Sequence, residues 1–177
     1  MKGGGMKITT ERLVLAPSKL SDAAEILAGY TKKVATYTRS KPSESVEEVE
    51  AWLAPAIQAT RAGTNLQITI RDRATGEFIG LGGVHHLDTR TPEFGIWTKE
   101  AAWGNKYGRE AVAGLEDWAQ ANLEFDYLKY SVVKENVPSH KIAEALGGVM
   151  VSEYKENNWR GEVDIVEYRI YPKKGEK

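Results

Sequence analysis

Cysteine is absent from this 177-residue chain. That gap removes disulfides, thiolate metal sites and a cysteine nucleophile together, and it suits the reducing cytoplasm, the expected location. Histidine is scarce, with 3 in the chain, two of them adjacent at His85 and His86, so no metal centre is expected. No run approaches the roughly 18 consecutive apolar residues of a membrane helix. The opening Met1-Lys2-Gly3-Gly4-Gly5-Met6 has no apolar segment behind its charge and does not read as a signal peptide. Net charge is nearly absent too: 24 Lys and Arg stand against 25 Asp and Glu, a balance of −1. Neither nucleic acid nor a membrane surface is therefore an expected partner. Repeats, low-complexity tracts and long linkers are also missing.

What is present fits one globular domain. The hydrophobic fraction is 41% and the charged fraction 28%, enough to build a core without staples. The domain is expected over residues 6–174, followed by a tail at 175–177. Residues 1–5 read as either a cloning remnant or a floppy native end.

The patterning is mixed α/β. Ile8 to Ala16 reads as a strand and Asp22 to Tyr30 as a short helix, with a polar, partly irregular stretch from Thr31 to Glu44. Ser45-Val46-Glu47-Glu48 has the form of a capping box, followed by Val49, Trp52, Leu53, Ala56 and Ile57 on one stripe. Pro55 inside that stripe is expected to kink or interrupt the helix. Strands follow around Leu66 to Ile70, Phe78 to Leu87 and Glu93 to Thr98. A helix to about Leu123 buries Ala111, Val112, Leu115, Trp118 and Ala119. Tyr127 to Val133 is a strand, Pro138 to Leu146 a helix, and the remainder a hairpin around Asn157 to Gly161. Only the central crossovers need be parallel.

The segment Trp103-Gly104-Asn105-Lys106-Tyr107-Gly108-Arg109-Glu110-Ala111 says most about function. It is a glycine-bearing turn opening a helix, where first-turn N–H groups lack intrahelical partners and the dipole favours an anion. Glycine lets backbone come close to phosphate, and Lys106 and Arg109 add cations.

With its neighbours, this segment resembles a GNAT-superfamily N-acetyltransferase, of the branch that includes ribosomal-protein N-terminal acetyltransferases. Thr10-Glu11-Arg12-Leu13-Val14-Leu15 resembles the opening strand of that branch, and Asp22-Ala23 its first helix. Glu93-Phe94-Gly95-Ile96-Trp97 resembles the strand lining the acyl-CoA cleft, and the 103–111 segment the pyrophosphate loop. Asn136-Val137-Pro138-Ser139, followed by Leu146-Gly147, resembles the last CoA-side helix. The resemblance implies a central, twisted, mostly antiparallel sheet of about seven strands, splayed at the cleft and flanked by about four helices. It implies acetyl-CoA as cosubstrate and no metal. The implied acetyl-CoA contacts are Ile96, Trp97 and Thr98, then Trp103, Gly104, Asn105, Lys106, Tyr107, Gly108 and Arg109, then Asn136 and Ser139.

Three departures stand out. Lys106 occupies a loop position usually held by glycine, and positive φ there would cost it about 1 kcal/mol. Ala143 stands where many members carry the tyrosine that protonates the leaving thiolate, and Gly148 replaces an aromatic residue. The implied chemistry is direct attack of a primary amine on the thioester. It needs a base for the amine proton, a donor for the oxyanion from the Glu93–Thr98 backbone, and accommodation of the thiolate. Glu93 is the first candidate for base or amine-orienting carboxylate, with His85 and His86 next; adjacent strand residues face opposite ways, so at most one histidine enters the cleft. Ser139 is the candidate thiolate partner.

The acceptors that the resemblance implies are a peptide N-terminus or a small amine, and the sequence does not choose between them. Monomer and homodimer both remain open. A catalytically silent acyl-CoA-binding sensor or partner module on the same scaffold is the alternative. A third reading, a nucleotide-binding regulator, rests on the loop's phosphate logic alone.

Overall fold

Alternating apolar residues and capped helices build a single open sheet in the computed structural model, which describes residues 6–173. The readings of residues 1–5 and 175–177 lie outside the described residues. In chain order the elements are β1 (Ile8–Thr9), β2 (Leu13–Pro17), α1 (Ala23–Gly29), α2 (Val46–Ala62), β3 (Leu66–Asp72), β4 (Phe78–His85) and β5 (Glu93–Thr98). Then come α3 (Tyr107–Asn122), β6 (Leu128–Val133), α4 (Val137–Ala145), β7 (Val149–Asn158) and β8 (Gly161–Ile170). Short 3-10 turns occupy Leu20–Asp22, Val34–Tyr37 and Glu100–Ala102. The sheet runs β1-β2-β3-β4-β5-β6-β8-β7. Every neighbouring pair is antiparallel except β5 with β6.

The sheet has eight strands because the stretch from Ile8 to Ala16 folds back on itself. Ile8 pairs with Leu15 and Thr9 with Val14. Thr10, Glu11 and Arg12 form the turn, with Thr10 Oγ1 accepting from Leu13 N at 3.0 Å. A polar triplet that closes its own turn splits what alternation alone reads as one strand.

Pro55 does not interrupt α2, which is continuous from Val46 to Ala62. Both Pro55 and Ala51, whose carbonyl the proline leaves without a helical donor, are exposed. Water can serve that carbonyl, so the helix continues. Ser45 caps it, accepting from Glu48 N at 3.2 Å, and Gly63 ends it at φ 77°. Glu47, Glu48 and Glu50 lie exposed.

Two apolar layers fix the sheet between helices. Ala111, Val112, Leu115 and Ala119 of α3 pack on Leu15, Ile70, Val84, Phe94 and Leu128. On the opposite face Ile26, Val49 and Leu53 of α1 and α2 meet Phe78 and Leu81. Leu115 and Leu53 are fully buried, and each such side chain contributes roughly 1.5–3 kcal/mol. Trp52, expected on the buried stripe, is 40% exposed at the mouth of the cleft described next.

Candidate active site

The sheet is open at one seam. β5 and β6 share a single paired position, Glu93 with Lys129, where Lys129 N donates to Pro92 O at 2.7 Å. Beyond it no residue of β5 pairs with β6. On the other edge Lys99 N donates to Ile79 O at 2.8 Å. Strand alternation therefore turns the N–H groups of Ile96 and Thr98 toward the gap. A cavity of about 1160 Å³ occupies this seam and runs through both faces of the site.

One side of the cavity is an anion site. Gly104 (φ 81°) and Lys106 (φ 60°) both lie in the left-handed region, and Lys106 is the N-cap of α3. Left- and right-handed residues in succession aim consecutive N–H groups at one point. Trp103 Nε1 donates to Thr98 O at 3.0 Å, tying the loop to β5. Trp103, Gly104, Lys106, Tyr107, Gly108 and Arg109 line the cavity. Asn105 does not: its Nδ2 turns away to Ala102 O at 3.1 Å and Trp103 O at 3.3 Å. Because Lys106 has positive φ, Lys106→Gly is expected to stabilise the fold by about 1 kcal/mol. The same change is expected to weaken acetyl-CoA binding through loss of the ammonium. Thermal melts and calorimetric titration read the two effects separately.

α4 supplies the second wall. Asn136 Nδ2 donates to Ser139 Oγ at 3.0 Å, and both residues line the cavity. The Tyr130 phenol of β6 lies alongside. Burial pushes it up to about 12, with Ser139 opposing, so it stays protonated. Ala143 is fully buried, and a Cβ at Gly148 would come within 2.7 Å of Ala143 O. The two departures are thus packed together. His140 is a staple, its ring nitrogens bonded to Tyr168 OH at 2.8 Å and Lys134 O at 3.0 Å.

Across the seam, toward α1 and α2, sits a charged cluster. Glu93 is only 9% exposed and is the register partner of His85, so the two side chains share a face. Arg39 Nη2 donates to Glu93 Oε1 at 3.1 Å, and Arg39 Nε to Glu156 Oε1 at 2.7 Å. Burial would lower the Arg39 guanidinium, yet Glu156 and Glu93 outweigh it and raise it. Burial also lowers the His85 imidazole below 6.5, with Glu93 pulling the other way, so His85 stays neutral near pH 7. His86 takes positive φ, its N donating to Asn65 Oδ1 at 2.8 Å, and does not line the cavity.

The stretch carrying Arg39 is strapped to the β7–β8 hairpin. Trp159 Nε1 donates to Ala35 O at 2.9 Å and Trp159 N to Arg39 O at 3.3 Å. Asn158 Oδ1 accepts from Arg160 N at 2.8 Å, leaving its buried Nδ2 without a partner. Trp97 packs on Tyr30 and Phe78, with ring centroids 4.8 and 5.9 Å away. Ile96, Trp97 and Thr98 all line the cavity.

Arg39, Glu156, Asn158 and Tyr130 were not anticipated. Arg39 lies 54 residues from Glu93 and 117 from Glu156, and no local pattern signals such pairs. Tyr130 was readable only as one apolar position of a strand. Among the described residues no group of three or more His, Asp or Glu is placed to hold a metal, and no helix is long and apolar enough to cross a membrane.

An open seam beside a cationic, left-handed loop at a helix start fits an elongated thioester carrying a diphosphate: room, anion donors and free strand N–H groups are all present. These features define an acyl-CoA-dependent transferase. The profile of the acetyltransferase (GNAT) domain matches residues 12–149, and the chain belongs to this family. It is an N-acetyltransferase with acetyl-CoA as cosubstrate. An uncharacterized N-acetyltransferase, p20, of Bacillus licheniformis is 28% identical over 141 residues, covering 77% of this chain and 79% of that protein. An uncharacterized protein of Methanocaldococcus jannaschii is 30% identical over 99 residues, 55% of this chain but only 20% of its own length. In fold, the chain is similar to RimL, a ribosomal L7/L12 alpha-N-protein acetyltransferase solved with coenzyme A. The TM-score is 0.85 at 14% identity, covering 94% of this chain and 98% of that one. It is also similar to a spermidine N-acetyltransferase from Vibrio cholerae solved with CoA and spermine. There the TM-score is 0.78 at 20% identity, covering 90% and 95%.

Proposed function

We propose that the protein transfers the acetyl group to a primary amine, either a peptide N-terminus or a small molecule, by direct attack within a ternary complex. The observation that carries this reading is the continuity of one cavity from the anion loop, across the open seam, to the Glu93 cluster. The first-turn N–H groups of α3, with Lys106 and Arg109, hold the diphosphate, and Asn136 hydrogen-bonds the pantetheine arm. Bound acetyl-CoA supplies a thioester carbonyl whose thiolate the amine displaces. The Ile96 N–H, the first free donor past the last paired residue, stabilises the carbonyl oxygen as charge develops. Glu93 takes the amine proton, directly or through water, with His85 beside it. Ser139 gives the thiolate a hydrogen bond in place of the phenol that Ala143 cannot supply.

The acceptor classes named for the two structural neighbours, a ribosomal protein and a polyamine, belong together in the test. A thiol-release assay with acetyl-CoA and a panel of N-terminal peptides and small amines is expected to show acceptor-dependent release of CoA. The missing α4 phenol favours a second reading, a silent acyl-CoA sensor. Tight binding with no release across the panel would establish that reading instead.

Asn136→Ala is expected to lower acetyl-CoA affinity by about 1–3 kcal/mol, the cost of a lost buried hydrogen bond. Ser139→Ala is expected to lower kcat more than affinity. Equal and negligible effects from both would remove this helix from the site.

A further inference from the structure

The Thr10-Glu11-Arg12-Leu13 segment stands out in the sequence but has no part in the reaction described above. The β1–β2 turn brings it against the start of α3. Thr10 Oγ1 donates to Glu110 Oε1 at 2.5 Å, and Arg12 N donates to the same oxygen at 2.7 Å. Arg12 Nε donates to Glu110 Oε2 at 2.7 Å, while Arg12 Nη2 donates to Asn105 O at 3.0 Å. The guanidinium also lies 4.7 Å from the Tyr107 ring centroid. One side chain therefore grips the anion loop between its two left-handed residues, at the first residue of α3, and again in the first helical turn.

We infer that Arg12 is a positioning residue for the diphosphate of acetyl-CoA. This rests on the assignment of the 103–109 loop to that diphosphate. Two physical arguments support it. Lys106 holds a left-handed conformation without glycine's freedom, and such a residue persists only where its surroundings over-determine it. The bond from Arg12 to Asn105 O fixes the peptide leading into Lys106, and with it the direction of the N–H groups that follow. The second argument concerns charge. A carboxylate in the first turn suits the helix dipole but repels a diphosphate bound at the same end. Arg12 neutralises Glu110 while it pins the loop. The Arg12 side chain is 42% exposed and belongs to neither apolar layer, so its replacement leaves the core intact.

The test compares acetyl-CoA with acetyl-pantetheine, which lacks the diphosphate and nucleotide, by calorimetry for the first and NMR titration for the second. Arg12→Gln is expected to raise the acetyl-CoA Kd about 10- to 100-fold, equivalent to losing one or two charge-assisted hydrogen bonds. Its acetyl-pantetheine Kd should stay within about twofold of wild type, since that ligand never reaches the loop. Arg12→Lys keeps the charge but not the fork that spans Glu110 and Asn105, so it should lose acetyl-CoA affinity as well. Glu110→Gln separates positioning from simple attraction. Removing a negative charge should tighten diphosphate binding if charge alone matters, and loosen it if the guanidinium must be held. Melting temperatures of the two Arg12 variants should stay near wild type, whereas Glu110→Gln gives up an ionised acceptor and should melt somewhat lower, so its fold is checked by an unchanged acetyl-pantetheine Kd. Equal losses for both ligands in Arg12→Gln, no loss in it, a wild-type Arg12→Lys, or a tighter Glu110→Gln would each overturn the inference. If wild-type protein bound both ligands equally, the loop assignment itself would fall, and the inference with it.

Discussion

Glu93→Gln is expected to lower kcat about 10²–10⁴-fold near neutral pH, the usual contribution of a positioned general base. The substitution keeps the shape of the side chain and an oxygen able to accept from Arg39, so the Arg39–Glu156 contact has no reason to move. Only basicity is removed. Raising the pH should recover part of the loss, because more of the acceptor amine is then neutral before it binds. Acetyl-CoA affinity should be unchanged, since Glu93 lies across the seam from the phosphate loop. Wild-type turnover in the variant across the whole pH range would eliminate Glu93 and leave His85 as the base. Burial holds His85 below the ordinary histidine value, with Glu93 opposing, so a His85-dependent rate would fall at a more acid pH than that of an ordinary histidine. His86 is not a further candidate, because it lies outside the cleft.

Gly108→Asp should have an effect of similar size on the cosubstrate side. A Cβ at this position would meet only Ile142 Cδ1, at 3.5 Å, and residue 108 has ordinary helical φ. The fold therefore accepts a side chain there. Aspartate in the first turn of α3 also interacts favourably with the helix dipole, by about 0.3–1 kcal/mol. Stability should hold or rise while binding falls. Unit charges about 5 Å apart at an effective dielectric near 20 repel by roughly 3 kcal/mol, or about 100-fold in Kd. These opposite signs make the variant diagnostic, with melting and calorimetry run on the same sample. A folded Gly108→Asp protein that bound acetyl-CoA like wild type would exclude this loop as the diphosphate site.

The two sides of the site were unequally legible in sequence. The phosphate loop is written in consecutive residues, because a helix start, its N-cap and its glycines are local features. Even the strained position was readable: Lys106 stands in a glycine's place and takes the φ that glycine would. The acceptor side is assembled from three distant segments. Glu93 could be singled out only by its strand, and nothing near it in sequence announces Arg39 or Glu156. Periodicity also erred where polar side chains did the folding. Thr10 turned one strand into two by bonding to the backbone of Leu13 across the turn. Asn105, inside the loop motif, spends its amide on Ala102 and Trp103 rather than on the cavity. Pro55 kept its helix whole because it lies on the solvent face, a fact that stripe analysis weighs less than the residue's identity.

The single pairing between β5 and β6 has a consequence for how this protein can be dissected. The seam presents peptide groups, and every residue type except proline carries the same N–H. Side-chain scanning of Ile96 or Thr98 will therefore report packing and leave the donor in place. A tolerant result at these positions would be no argument against their role. The informative experiment changes the main chain itself: an ester at the 95–96 linkage, installed by semisynthesis, replaces the Ile96 N–H by an oxygen and removes the donor while every side chain stays in place.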